Sequence, residues 1–544
     1  MVCPLLVAGL KSFLDGRGNA LRWLVCALVV ALFTWNVSLF YLPGQGFTYF
    51  IEFGSMEHAR FLPQVKAVNH YEMRNSPGYD SQWYAQIAVD PHLKDPALRV
   101  AVDSLPYRAR RILFEWTAWL LGGGDPRRVM NVYALQNVFC WYILAAVLLR
   151  WFPQDNWGNT FRWVCVLLSF GLIFSVRSAL LDGPSLLLVT IGMALIETGR
   201  TWTGATLMGL SGLGKDTSIL AGAALSPPDM RIPRSFVPWL AKGALFIVPL
   251  ALWMVCIRIW LGPADDIGAR NFAPPFSGLA NKLQDIVSSL EAIGNRNPAV
   301  IRLDLLVVIG LLAQCLFFAG RIRWSNPWWR VGASYAVLML FLGDAVWEHY
   351  PSAAARVLLP MTLAFNILVP RKGWWLLLLV IGNLGILGAP DLLKPPGRET
   401  FRVAGPADLR INPKDNSVVE AIFGPRNWWD PEKSRWEYFR WSLGDSTITV
   451  RNPQPFAILA DIKFRLRAVD ERGALVSLNG TLVWQGILKP AEVRKATIAG
   501  VVLQPGDTTL LFQSDRPAAY PGNDDERRLT FSVRNLEIDL KAKR

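Results

Sequence analysis

The sequence predicts a polytopic α-helical membrane protein that ends in an all-β domain. Hydrophobic residues make up 52% of the 544 residues and charged residues only 18%. The apolar residues fall in blocks of about 20, the length that crosses a bilayer. Lys and Arg gather at alternate ends of those blocks, as cytoplasmic loops require. Beyond residue 390 the periodicity changes from helical to alternating, the pattern of half-buried strands. A chain of this length exceeds one compact domain.

The bulk properties exclude some function classes. A net charge of +14 would suggest nucleic acid in a soluble protein. Here cytoplasmic loops and anionic lipid account for it, and no nucleic-acid-binding motif is present. Many of the 24 tryptophans stand at block edges, where interfacial belts form. All six cysteines lie in or beside the hydrophobic region, so the C-terminal region folds without disulfides, and no Cys/His cluster has zinc spacing.

Lys11, Arg17 and Arg22 place the N-terminus inside the cell. The first apolar run, 21–41, is too long for a signal-peptide core and has no small-x-small cleavage site, so it reads as an uncleaved span. The loop that follows, 42–127, is then extracytoplasmic and long enough to fold as an insert. Within it, 111–121 is apolar but short, the pattern of an interfacial helix. Further crossings fall at about 129–149, 161–179, 180–196, 236–261, 301–318, 331–346, 353–369 and 374–387, nine in all.

The stretch 201–226 fits no simple crossing. Both its flanks carry cytoplasmic-type basic residues, and Gly212-Leu213-Gly214-Lys215-Asp216 interrupts it. Two half-helices meeting at that turn satisfy both flanks, a form tolerated only where it lines protein or a water-filled cavity. Lys215 and Asp216 then sit at membrane depth, where ionisable groups point to function; the competing reading is a self-neutralising pair. The membrane region thus covers 1–390, a Pro-rich linker 391–411, and an extracytoplasmic β-sandwich of jelly-roll type 412–544. In that last region Ile462, Phe464, Leu466 and Ala468 alternate with basic residues, and Asn479-Gly480 marks a hairpin. Trp428, Trp429, Trp436 and Trp441 suit a glycan-binding face or packing, and the bulk of a tryptophan favours packing.

The first outer loop holds the chain's organising stretch, Gly78-Tyr79-Asp80-Ser81-Gln82-Trp83-Tyr84. Pro77-Gly78 breaks the chain and Asp80 opens a helix. A carboxylate, an amide and three aromatics beside a membrane suit a sugar site: rings pack on sugar faces, while carboxylate and amide bond hydroxyls. The alternative is an interfacial aromatic anchor with a helix-capping aspartate.

This stretch resembles the GYDGQFYY motif of bacterial membrane glycosyltransferases of the GT-C type. Tyr107-Arg108-Ala109-Arg110-Arg111-Ile112-Leu113 is similar to the YRYxRILYP that follows it there. Leu213-Gly214-Lys215-Asp216-Thr217 stands where that group has LTRET or LTKGP, and Arg356-Val357-Leu358-Leu359-Pro360 matches a recurrent RxLLP. Two positions depart from the pattern: Ser81 replaces a glycine and Gly214 a threonine. The resemblance extends over about 21–390 and implies an enzyme of the bacterial inner membrane. It would move a sugar from a polyprenyl-phosphate donor to an envelope glycan or lipid acceptor.

In that chemistry the acceptor hydroxyl must lose a proton, and Asp80 is the expected general base. The leaving phosphate needs cations at the lipid boundary: Arg108, Arg111, Arg177, Lys215 and Arg356 are expected there. Tyr79, Gln82, Trp83, Tyr84, Asp182, Asp216, Glu348 and His349 complete the expected substrate-binding set, although a solvated turn is the favoured reading of Glu348-His349; Arg177 and Asp182 bracket one outer turn as partners, functional or structural. Headgroup binding by Arg108, Arg110 and Arg111 is the competing reading. No Asp-x-Asp stands in the first outer loop, so no metal cofactor is expected. A divalent cation held by Asp80 with Glu57, His58 or His70 is the open alternative. A transporter or flippase for a lipid-linked glycan, or a non-catalytic assembly protein, are the competing functions. The absence of internal repeats and the long first outer loop favour the enzyme.

Overall fold

The computed structural model describes residues 4–226, 236–263, 266–291, 298–348, 353–397, 400–434, 437–490, 492–521, 525 and 527–544. His349 and Trp436 lie outside the described residues.

Among them, five helices are long and apolar enough to cross a membrane: Gly18–Ser38, Pro126–Leu148, Val237–Leu261, Ile301–Gly320 and Trp375–Leu392. Trp157–Leu167 and Phe170–Arg177, bent by 41°, form a sixth if taken together. Three further expected crossings correspond to shorter helices, Asp182–Glu197, Pro327–Phe341 and Leu359–Leu368. All three are heavily buried among their neighbours.

The stretch 201–226 is broken where the glycines predict. A helix runs Thr201–Gly214, Lys215 is extended, and Asp216–Leu225 continues as a 3₁₀ helix. Backbone carbonyls of such an irregular segment need partners. Tyr335 Oη donates to Thr217 O at 2.9 Å and Ser334 Oγ to Leu220 O at 3.0 Å. Arg330 takes Ala223 O at 2.9 Å and Ala224 O at 2.8 Å. Side chains from one neighbouring helix therefore substitute for the missing ladder.

The loop 42–127 is folded. Strands β1 (Phe53–Gly54) and β2 (Glu72–Met73) pair in parallel, and helices Ser81–Val89 and Leu113–Gly122 pack on Pro126–Leu148. The apolar core of this helical region runs from Cys26 to Ala389.

A separate core spans Leu409 to Leu540. Its strands are β3 (Phe401–Ala404), β4 (Glu420–Phe423), β5 (Glu432–Lys433), β6 (Tyr438–Trp441), β7 (Ser446–Asn452), β8 (Ile458–Ala468), β9 (Arg472–Leu478), β10 (Thr481–Leu488), β11 (Arg494–Leu503), β12 (Gly506–Ser514) and β13 (Phe531–Lys543). One antiparallel sheet has the order β10-β9-β12-β7-β4; the other runs β11-β8-β13-β6-β5, with β3 added parallel to β13. Strict alternation along β8 sends Ile462, Phe464 and Leu466 into the core and Lys463 and Arg465 outward. The β9–β10 turn is Asn479-Gly480, with φ of 46° and 87°, the left-handed pair a tight hairpin needs. Trp428 is fully buried in this core and Trp441 is buried in a small satellite cluster, so neither offers a glycan-binding face.

The β region is latched to the loop 42–127. Arg74 Nη1 donates to Gly424 O at 2.8 Å, and Asn75 Nδ2 to Trp428 O at 3.1 Å. The Arg74 amide reaches Asp430 Oδ2 at 3.3 Å, and the Tyr71 hydroxyl also bonds that carboxylate.

Candidate functional site

Asp80 stands at the head of helix Ser81–Val89, but its side chain makes no capping bond. The helix-cap reading therefore fails. The residue is placed by Gly78, whose φ of +76° is left-handed. A Cβ there would lie 2.6 Å from the Gln82 amide and from Glu52 O. That close approach lets the Tyr79 amide donate to Glu52 O at 3.0 Å and turns Asp80 inward.

Asp80 Oδ1 accepts from Arg108 Nη2 at 2.9 Å. The same guanidinium holds Asp103, with Nη2–Oδ2 at 2.6 Å and Nε–Oδ1 at 3.0 Å. Arg108 follows Asp103 by five residues, and the short helix Leu105–Arg108 folds the two together. Arg111, one turn on, pairs with Asp216 at 3.2 Å. The Tyr84 hydroxyl joins the two arginines: Arg111 donates to it closely and Arg108 at 3.4 Å.

A second pair of cations meets on Asp182. Lys215 Nζ lies 2.9 Å from Oδ1 and Arg356 Nη1 3.0 Å from Oδ2. Arg356 also donates to Tyr79 Oη at 3.2 Å, which ties this half of the cluster to the Asp80 stretch. The broken helix is drawn in by backbone as well as charge, because the Ile112 amide donates to Leu213 O at 2.8 Å. Gly214 is required here: a Cβ would stand 2.3 Å from the Phe114 ring and 2.8 Å from Ser185 Oγ. Its departure from the threonine of the resembling motif thus has a steric cause in this chain.

The cluster is charge-balanced. Arg108, Arg111, Lys215 and Arg356 face Asp80, Asp103, Asp182 and Asp216. An incoming phosphate would compete with a carboxylate for any of these cations. Among the four acids Asp80 is the most open, its side chain 40% exposed, against 27% for Asp216, 25% for Asp103 and 4% for Asp182. Burial alone would raise its carboxyl, but Arg108, with Arg356 and Arg111 behind it, outweighs burial and holds it below the ordinary carboxylate range.

A scan against protein-family models and a search of curated proteins found no match to this chain.

Several expected residues lie apart from the cluster or have other partners. Arg177 does not pair with Asp182; it bonds Glu52 Oε1 at 2.9 Å and lies over the Tyr49 ring. Asp182 is already taken by two cations from the broken helix and the Arg356 segment. Lys215 and Asp216 do not pair with each other: Lys215 meets Asp182 at the start of helix Asp182–Glu197, and Asp216 meets Arg111 in the turn before helix Leu113–Gly122. Gln82 is buried with its amide spent on backbone, accepting from Gly54 N at 3.0 Å and donating to Pro77 O at 2.7 Å. Trp83 is also buried, with Arg60 over its ring. Glu348 pairs with Arg270 on the surface at 2.5 Å. His58 and His70 both turn to Glu72, at 2.7 and 3.1 Å, and Glu57 to Arg60, so the three do not gather on Asp80.

Asp103, Glu52 and Tyr335 were not expected in or around the cluster. Asp103 had a signal, an acid five residues before Arg108 in a Ser-Leu-Pro turn. Glu52 and Tyr335 had none, since each meets its partner only through packing.

Proposed function

We propose that the protein is a membrane glycosyltransferase. It moves a sugar from a polyprenyl-phosphate donor to an envelope glycan or lipid acceptor on the extracytoplasmic side. The observation that carries this reading is the half-open Asp80 carboxylate, backed by Arg108 and joined through Tyr84 and Tyr79 to Arg111, Arg356 and Lys215. In the proposed reaction the acceptor oxygen attacks the anomeric carbon and its proton passes to Asp80. The bond from that carbon to the donor phosphate breaks, and the phosphate leaves with its electron pair. Arg111, Arg356 and Lys215 would receive the phosphate charge by exchanging a carboxylate partner for it, which keeps the site neutral when empty. Arg108 holds Asp80 ionised and oriented. In this reading nine segments cross the membrane, the short ones buried by their neighbours, and the two C-terminal sheets form an extracytoplasmic sandwich.

The test is transfer of labelled sugar from a panel of polyprenyl-phosphate donors by the purified protein in detergent. Transfer abolished in Asp80→Asn supports the reading; transfer intact in that variant removes Asp80 as base. Loss of donor affinity in Lys215→Ala separates a donor-binding hairpin from a structural one.

A further inference from the structure

We propose that the outer face of the six-stranded sheet binds an acidic oligosaccharide, one whose sugars carry carboxylate or phosphate groups. The inference deepens the functional reading above and rests on it only for the glycan's role as acceptor.

The face is hollow, enclosing about 720 Å³ between β3, β6, β8, β11 and β13. That volume lies in the range of small-ligand clefts, roughly 300–1,000 Å³. Strand register builds its floor. Thr497 pairs with Lys463, Lys463 with Glu537, and Glu537 with Arg402, a row of four side chains crossing four strands on one face. In the next row Lys495 pairs with Arg465.

The lining carries four cations, Arg402, Lys463, Arg465 and Lys495, against one carboxylate, Glu537. They divide into two kinds. Lys463 is held by Asp539 at 2.9 Å and Arg465 by Glu437 at 3.2 Å, so both are oriented in advance. Arg402 and Lys495 are exposed and, among the described residues, have no carboxylate partner. Two fixed and two open cations in one concave surface suit an anionic ligand long enough to touch several of them. Tyr438, exposed at the rim, supplies a flat ring for a sugar face, while Thr497, Asn535 and Glu537 supply hydroxyl-bonding groups. Insertion into a membrane surface would need protruding apolar side chains. Among the described residues, Tyr438 is the only exposed large hydrophobic of this region that lines the hollow.

The experiment measures binding to the full-length protein in nanodiscs of zwitterionic lipid. The probes are oligogalacturonate, a glycosylated glycerol-phosphate oligomer, a neutral malto-oligosaccharide, inorganic polyphosphate and phosphatidylglycerol vesicles. At least one of the two acidic oligosaccharides should bind, more weakly as salt rises. Its affinity should fall by about tenfold or more in R402A/K495A, the loss of one charge-assisted hydrogen bond being enough. Y438A should weaken it as well, and K414A, on the same domain outside the hollow, should leave it unchanged. Unaltered thermal melting of the double variant shows that it folds. The proposal is overturned if neither acidic oligosaccharide binds, or if R402A/K495A binds as well as wild type. It also falls if polyphosphate binds equally well or if only the vesicles are retained. Acidic-oligosaccharide binding in a protein that transfers sugar from no donor would leave the hollow standing and remove the enzymatic reading.

Discussion

Lys215 and Asp216 are neighbours in the chain but pair in opposite directions. Lys215 meets Asp182 at 2.9 Å, and Asp216 meets Arg111 at 3.2 Å. The break in the helix is therefore clamped between helix Asp182–Glu197 and the loop 42–127. Because it carries one charge of each sign, the break can bridge both without leaving either uncompensated.

The first prediction concerns chemistry at Asp80. D80N keeps the size of the side chain and removes the base, so transfer should fall by about 10²–10⁴-fold. Donor binding should change little. Single-turnover assays with labelled donor measure both quantities.

The second concerns pH. Arg108 holds the Asp80 carboxyl below its ordinary value, so the base stays ionised as pH falls through the usual carboxylate range of about 4. The acid limb of kcat/KM should lie below that value. Linkage has the same sign: the stability Asp80 gains from its partner is present above its unfolded pKa and is lost as pH falls through the depressed one. In R108Q burial is less opposed, and the limb should move up. A limb that does not move in R108Q separates Asp80 from the rate-controlling ionisation.

The third concerns Asp182, which neutralises two buried cations at once. D182N leaves Lys215 and Arg356 without that charge, and stability should drop by about 3–5 kcal/mol. Thermal unfolding in detergent should show this loss. D103N, at a more open carboxylate sharing its cation with Asp80, should cost less.

The fourth uses the steric cause found at Gly214. G214T restores the residue of the resembling motif but drives it into Phe114, and overpacking of this kind costs about 1–3 kcal/mol. Adding F114A should recover part of the loss. If G214T melts like wild type, Phe114 does not constrain this position.

Hydropathy, basic flanks and turn chemistry made much of the architecture legible. The Gly212–Asp216 interruption predicted a break, and the helix ends at Gly214. Asn479-Gly480 predicted the β9–β10 hairpin, and the alternation at Ile462–Ala468 predicted β8. These features are local: each depends on residues a few positions apart meeting a periodic or conformational demand of the backbone. The motifs around Asp80, Arg108, Lys215 and Arg356 also selected residues that come together.

What the sequence left open was who pairs with whom. Arg177 chose Glu52 and not Asp182, and Gln82 was spent on backbone. The basic outer residues of β8 met Arg402 and Lys495 only once four strands came into register. Such contacts join residues tens to hundreds of positions apart. An ion pair forms where packing brings opposite charges within about 4 Å in a medium too poor in water to leave them single. No local pattern encodes that distance, so the tertiary structure alone decided it.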